Sequence, residues 1–242
     1  MTDKNEKKLA IVIPVWNNWH YTKKALQGLN LLPKDHCIIV VDNASDDETK
    51  NLESNGIIDV VRNERNFGFA IACNIGFNRA QELGYEHVMF LNNDIKVVKD
   101  FDTWTQPILD ECIGDTLVGP TVGCLDENLT FITEAPKIPS KGYFYMSGWN
   151  MTATMVAWEK LQIDTPAMND LPACSGPFTA EFGLAYFEDT DTSLRARELD
   201  FNFEIVPVPV KHFGKATSKK MGISRLYQYA KPLFLAKWKD RV

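Results

Sequence analysis

No apolar run in this 242-residue chain approaches the roughly 20 residues that cross a bilayer as a helix. The first residues, Met1 to Lys8, lack the apolar segment of a secretory signal; they are polar and charged, and predict a short disordered lead on an intracellular, cytoplasmic protein. There is no C-x-x-C. The five cysteines, Cys37, Cys73, Cys112, Cys124 and Cys174, are odd in number and several sit in apolar runs, which predicts reduced, buried thiols in place of a disulfide framework. Without a secretion signal, the N-x-S/T matches at Asn43, Asn128 and Asn150 read as chance. No G-x-G-x-x-G follows the first apolar run, which ends Pro-Val-Trp-Asn, so a dinucleotide-dependent dehydrogenase is excluded. No lysine- or glycine-rich phosphate loop follows it either, since Lys23 and Lys24 fall inside a helical pattern; this argues against a nucleotidyltransferase. Internal repeats and low-complexity tracts are also lacking.

What is present is an ordinary globular composition, 45% hydrophobic and 24% charged, enough for one large α/β domain with a substantial core. The net charge of −6 is unevenly spread. From Lys211 onward there are nine Lys/Arg against Asp240 alone, a balance of +8 that leaves −14 for residues 1–210. A basic end on an acidic body reads either as a solvated helix face or as a contact for an anionic partner, a membrane surface or a nucleic acid.

Three apolar segments share one form. Leu9–Val15 runs into Trp16-Asn17-Asn18, Cys37–Val41 into Asp42-Asn43, and His87–Leu91 into Asn92-Asn93-Asp94. Strands without polar alternation are buried on both faces, as in a parallel sheet covered by helices. In open α/β sheets the ligand crevice lies at the carboxyl ends of the strands, so Asn17, Asp42 and Asp94 are expected along one edge. Helices are expected over Trp19 to Leu29, Asp46 to Glu53, Phe69 to Leu83, Asp100 to Glu111 and Asp189 to Leu199. Short strands are expected at Ile57 to Val61 and Thr116 to Val118, with Gly142 to Met155 a strand or hairpin. Phe203 to Val210 reads as an edge strand because of its prolines. Ser224 to Lys239 reads as an amphipathic helix interrupted near Pro232. The β-α-β-α order at the start predicts an α/β fold with right-handed crossovers.

Four blocks in order carry a family resemblance: Ile11-Val-Ile-Pro-Val-Trp-Asn17; Val40-Val-Asp-Asn-Ala-Ser45; Asn66-Phe-Gly-Phe-Ala70 with Asn74 and Gly76, then Phe90-Leu-Asn-Asn-Asp94; and Tyr186-Phe-Glu-Asp-Thr-Asp191 with Arg195, then His212-Phe-Gly214. Over residues 9–215 the chain resembles the glycosyltransferase family 2 group, closest in pattern to its rhamnosyltransferase-like members. The resemblance implies a GT-A fold, a Rossmann-like, mostly parallel sheet flanked by helices, with a nucleotide-binding half at about 9–118, an acceptor half at about 119–215 and a basic helical tail at 216–242. It implies inverting transfer of a sugar from a UDP-, dTDP- or GDP-linked donor to a glycan or other hydroxyl acceptor.

The resemblance also implies roles. Asp42 contacts the base or ribose, or serves only as a strand-end turn residue. Pro14, Val15, Asn17, Arg65, Asn66, Gly68, Asn74 and Asn93 are the remaining candidates around the nucleotide. Asp94, the one carboxylate of the Asn92-Asn93-Asp94 motif, and His212 are the candidate ligands of a divalent cation, Mn²⁺ or Mg²⁺. Asp189 is the candidate base, with Glu188 in reserve; acids at a helix start also have a purely structural use. Glu181, and Trp149 among the aromatics Tyr143, Tyr145, Trp149 and Trp158, are candidates for acceptor contact, or core residues. A noncatalytic sugar-nucleotide or glycan-binding module on the same fold is the rival; the presence of Asp94, Glu188, Asp189 and His212 favours catalysis.

Overall fold

A computed structural model describes residues 8–29, 35–98, 102–168, 170–214 and 223–242. The expected lead therefore lies almost wholly outside the described residues, as does the start of the basic tail.

The three all-apolar segments form strands with every residue buried: β1 (Leu9–Val15), β2 (Cys37–Asp42) and β4 (His87–Leu91). With β3 (Ile58–Arg62) they pair in parallel, β1 in the middle between β4 and β2, and β3 outside β2. Helices α1 (Trp19–Gly28), α2 (Phe69–Glu82) and α3 (Asp102–Glu111) supply covering layers. One core cluster joins α2 residues Cys73, Phe77 and Ala80 to Ala10, Val12 and Val41; a second joins Leu26 of α1 and Trp104 and Ile108 of α3 to Ile11, Ile13 and Val40. The alternate residues of each strand thus face opposite layers. A Cβ at Gly76 would stand 2.2 Å from a Val12 methyl carbon, so this glycine lets α2 lie against β1.

The sheet continues through β6 (Thr116–Gly119), β10 (Asn150–Thr154) and β13 (Asn202–Ile205), giving seven strands in the order β13-β6-β10-β4-β1-β2-β3. Only β10 runs against its neighbours. A three-stranded sheet joins β7 (Val122–Leu125) to β8 (Phe131–Ala135) and β9 (Tyr143–Met146), and a short antiparallel pair joins β5 (Ile95–Val97) to β14 (Val210–His212). Helix α4 (Met155–Lys160), the pair β11 (Ile163–Thr165) and β12 (Cys174–Gly176), α5 (Glu188–Glu198) and α6 (Ile223–Trp238) complete the fold. No helix of the described residues is long and apolar enough to cross a membrane. All five cysteines are free thiols; Cys37, Cys73 and Cys112 are buried, Cys124 and Cys174 partly so.

Four expectations are corrected. Asp46 to Glu53 holds only a 3-10 turn, Glu48–Asn51. The Asn17 side chain takes the Asp46 and Asp47 amides, and Asp47 takes those of Thr49 and Trp19, so local side-chain bonds displace the helical ladder. Gly142 to Met155 is not a hairpin: β9 pairs with β7, whereas β10 enters the main sheet beside β4. Phe203 to Val210 breaks into β13 and β14, which belong to different sheets; Pro207 and Pro209 in the break lack amide donors. Helix α6 passes through Pro232 without interruption. Ala230, Phe234 and Trp238, one turn apart, are fully buried against Phe182 and Leu194, and this packing holds the helix across the missing hydrogen bond.

Candidate active site

The carboxyl ends of β1, β2 and β4 open on a cavity of about 540 Å³. That is within the range of small-molecule sites. Its strand-end lining is Pro14, Val15, Trp16, Asn43, Asn92, Asn93 and Asp94. The segment before α2 adds Asn66 and Gly68; the turn between β9 and β10 adds Ser147, Gly148 and Trp149; the start of α5 adds Glu188 and Asp189.

Asp94 and His212, 118 positions apart in sequence, meet through β5 and β14. Their register sets His212 opposite Ile95, and the Phe213 amide donates to the Asp94 carbonyl at 2.9 Å. This puts His212 Nε2 3.1 Å from Asp94 Oδ1 and 3.4 Å from Asn92 Nδ2. The imidazole lies flat on the Trp149 indole, ring centres 5.0 Å apart and planes 13° apart. The indole is fixed in turn by Nε1, which donates to Glu134 Oε1 at 3.0 Å and Thr121 Oγ1 at 3.1 Å.

Asp189 stands on the other side of the same turn. Its Oδ2 accepts the Gly148 amide at 3.0 Å, while Oδ1 accepts the Thr190 amide at 2.7 Å and the Thr190 hydroxyl at 3.3 Å. Glu188 precedes it. Both carboxyls lie deep under protein atoms and keep only a partial opening through the cavity. Burial, and then the neighbouring Asp189 charge, push the Glu188 carboxyl up to about 8. Burial also raises Asp189, opposed by the hydrogen bonds from Gly148 and Thr190. Of the two, Asp189 is the carboxylate whose hydrogen bonds favour the ionised form, and Glu188 the one that burial and its charged neighbour keep protonated. The two residues before Glu188, Tyr186 and Phe187, have φ of 82° and 68°. Such left-handed backbone costs on the order of 1–3 kcal/mol per residue and is held by surrounding structure. Phe187 stacks on Phe234 of α6 with centres 4.5 Å apart. The Leu184 carbonyl, three residues upstream, accepts the Phe69 amide at 2.9 Å.

Several expected site residues are placed elsewhere. Asp42 is buried outside the cavity lining, its oxygens engaged by the Ser45 amide at 2.9 Å and by Arg62 at 2.5 Å; its neighbour Asn43 lines the cavity. Asn17 is likewise outside, clasping Ser45, Asp46 and Asp47. Arg65 donates to the Asp170 carbonyl and covers the Phe67 ring. Asn74 is buried, bonding both the amide and the carbonyl of Phe178 at 3.0 and 2.7 Å, which fixes the segment after β12 to α2. Gly68 is on the lining, but its φ of 87° and a hypothetical Cβ 2.6 Å from the Leu184 carbonyl show what its size admits: the backbone before α5. Asn93 is on the lining with its amide tied to Thr22 at 2.9 Å. Glu181 pairs with Lys237 at 3.3 Å and is off the lining. Trp158 is a core residue donating to the Val88 carbonyl, whereas Trp149 and Tyr145 line the cavity.

The sequence reading missed Glu134, Tyr227 and Asn43 as lining residues. Tyr227 lies in the expected amphipathic helix, where Tyr227, Ala230, Phe234 and Trp238 share a helical spacing. Of the basic charge at this end, Lys237 meets Asp191 at 2.8 Å and Arg241 meets Glu198 at 2.7 Å.

Among the described residues no three His, Cys, Asp or Glu side chains form a metal-holding group. The Asp94–His212 pair offers one carboxylate and one imidazole. A hard divalent cation fits that donor set when diphosphate oxygens and waters fill the remaining positions.

A sequence profile described as glycosyl transferase family 2 matches residues 10–145. The uncharacterized protein Rv1525 of Mycobacterium tuberculosis is 26% identical over 214 residues, spanning 87% of this chain and 76% of that protein. Among solved structures, a mannosyltransferase, PcManGT from Pyrobaculum calidifontis in complex with GDP-Man and Mn²⁺, is similar with a TM-score of 0.58 and 17% identity, over 93% of this chain and 64% of that one. TarS of S. aureus is similar with a TM-score of 0.52 and 19% identity, over 78% of this chain and 33% of that one. At these identities the likeness bears on fold, which is the GT-A arrangement.

Proposed function

This chain belongs to glycosyl transferase family 2, and from that premise we propose that its cavity transfers a sugar, with inversion, from a nucleoside-diphosphate donor to an acceptor hydroxyl. The observation that carries the proposal is the turn at Gly148 and Trp149. Its amide holds Asp189 and its indole holds His212, so a carboxylate base and a candidate diphosphate-facing pair open on one cavity.

In this reading Asp94 and His212 hold Mn²⁺ or Mg²⁺, which when bound stabilises charge on the departing diphosphate. Pro14, Val15, Trp16, Asn43 and Asn66 border the nucleoside. Asp42 acts from behind, orienting Arg62 and the Ser45 turn. Asp189 takes the acceptor proton as the acceptor oxygen bonds to the anomeric carbon and the bond from that carbon to the diphosphate oxygen breaks. A single base with no covalent nucleophile gives direct displacement, hence inversion. Glu188, protonated at neutral pH, leaves the pair with one negative charge. The resemblance to rhamnosyltransferase-like members puts dTDP-linked deoxyhexoses beside UDP- and GDP-linked sugars as donors. A cytoplasmic setting, peripheral at the inner membrane face, belongs to the same reading, with Arg225 and Lys239 as exposed basic residues available to an anionic surface.

Calorimetric titration with UDP-, dTDP- and GDP-sugars, with and without Mn²⁺, tests this on wild type and Asp94→Ala. Metal-dependent binding of one donor class, lost in the variant, is expected. No binding of any donor under either condition would overturn it in favour of a glycan-binding module.

A further inference from the structure

The cavity has two unlike sides. Around the strand ends Pro14, Val15 and Trp16 alternate with polar groups, Asn43, Asn92, Asn93, Asp94 and His212. The opposite wall is apolar: Leu125, Tyr145, Tyr186 and Phe187 belong to the third core cluster, and Tyr227 of α6 lies against Tyr186 at 5.8 Å and Phe187 at 5.3 Å. Phe131 of β8 also lines the cavity, with 52% of its surface exposed. The lining has a one-sided charge as well. Asp94, Glu134 and Asp189 contribute to it, and among the described residues no Lys or Arg does.

We propose that this aromatic wall is the acceptor subsite, that Tyr227 is a specificity-determining residue on it, and that it selects an acceptor carrying an apolar face and no acid group. The proposal rests on the transferase reading above and deepens it.

Three arguments converge. Rings from four separate elements, β8, β9, the segment before α5 and α6, bound the opening next to Asp189, where the acceptor hydroxyl must arrive. Aromatic faces bind the C–H faces of sugars or an aryl or alkyl aglycone, and do little for a phosphate. The Tyr186 hydroxyl is shielded from water although Tyr186 lines the cavity, so its phenol offers a ligand no hydrogen-bonding group there. Finally, a phosphorylated or carboxylated acceptor would meet Glu134 and Asp189 with no Lys or Arg among the described lining residues to offset them, in a partly desolvated site where like charges repel strongly.

Helix α6 is held for this task. Trp238 Nε1 donates to the buried Asp191 carboxylate at 2.8 Å, and Asp191 belongs to the helix that begins with Glu188 and Asp189. Tyr227 is thereby fixed relative to the candidate base, and the stretch whose charge suggests an anionic partner also walls the site.

The test is ligand-observed NMR titration of the full chain with four matched probes: a p-nitrophenyl glucoside, glucosaminide, glucuronide and glucoside 6-phosphate. The neutral and amino probes should bind at least about tenfold tighter than the two acidic ones. Tyr227→Ala should weaken the neutral probe by about tenfold while donor affinity, measured by calorimetry on the same preparation, stays within about twofold. Acidic probes binding as tightly as neutral ones, an unaltered affinity in Tyr227→Ala, or no binding of any probe would each overturn the proposal. Intact donor binding alongside such a failure leaves the transferase reading standing; loss of donor binding in wild type removes both.

Discussion

Asp189 and Glu188 are adjacent, yet their oxygens meet different surroundings. Asp189 is held by two amides and a hydroxyl, and these favour the ionised form. Burial beside Asp189 favours the neutral form of Glu188. Replacing Asp189 by Asn keeps much of the shape and removes the proton acceptor. Transfer should fall by about 10²–10⁴-fold with donor affinity retained, measured as acceptor-dependent release of nucleoside diphosphate. Glu188→Gln should act differently. The Asp189 carboxyl then loses a titrating neighbour, so the pH dependence governed by the pair should move, while transfer at neutral pH falls less than in Asp189→Asn. A larger loss in Glu188→Gln than in Asp189→Asn would place the base at Glu188. Trp149 offers a further residue-level check. Trp149→Leu removes the face on which His212 lies, and the Mn²⁺ concentration needed for half-maximal donor binding should rise by about tenfold.

At the scale of elements, the site is built by the pieces that have the least sequence signal. Strands β1, β2 and β4 were legible because each is wholly apolar and ends in polar residues, and these ends do border the cavity. The β5–β14 pair was not, because three-residue strands have no periodicity to detect; yet it alone brings His212 to Asp94. Asp42 shows the opposite case, a strong motif residue whose buried carboxylate is taken up by Ser45, as the turn alternative has it, and by Arg62, a partner that no local spacing reveals. Gly68 reads in the sequence as a glycine for close approach to a ligand or for a turn, and only the fold shows Leu184 against it. Gly68→Ala should destabilise by about 1–3 kcal/mol, since an L residue is strained at φ 87° and its Cβ collides with the Leu184 backbone. Activity should fall more than stability, because that backbone leads into Glu188. Helix α6 allows a prediction of opposite sign. Its proline was read as a break, and burial of Ala230, Phe234 and Trp238 overrides it. Pro232 is exposed and still withholds a helical hydrogen bond, so Pro232→Ala should stabilise by about 1–3 kcal/mol in urea unfolding. No gain would mean that the helix already bends to accommodate the ring.

The whole molecule carries the cost of its site in its pH response. A Glu with an ordinary value of 4.5 that is pushed up to about 8 binds its proton more tightly when folded than when unfolded. Between those two values the folded chain holds a proton that the unfolded chain has lost, so stability falls as pH rises through that window. Below it both states are protonated, and above it both are ionised, with the buried charge then at its full cost. Asp189, raised in the same direction, reinforces the trend. Thermal unfolding of wild type and Glu188→Gln from pH 5 to pH 9 separates the contributions. The difference in melting temperature between them should move progressively in favour of Glu188→Gln as pH rises to about 8 and then level off. A difference independent of pH would mean that Glu188 is ionised throughout, in which case the carboxylate pair carries two negative charges beside the acceptor wall and either residue can take the proton.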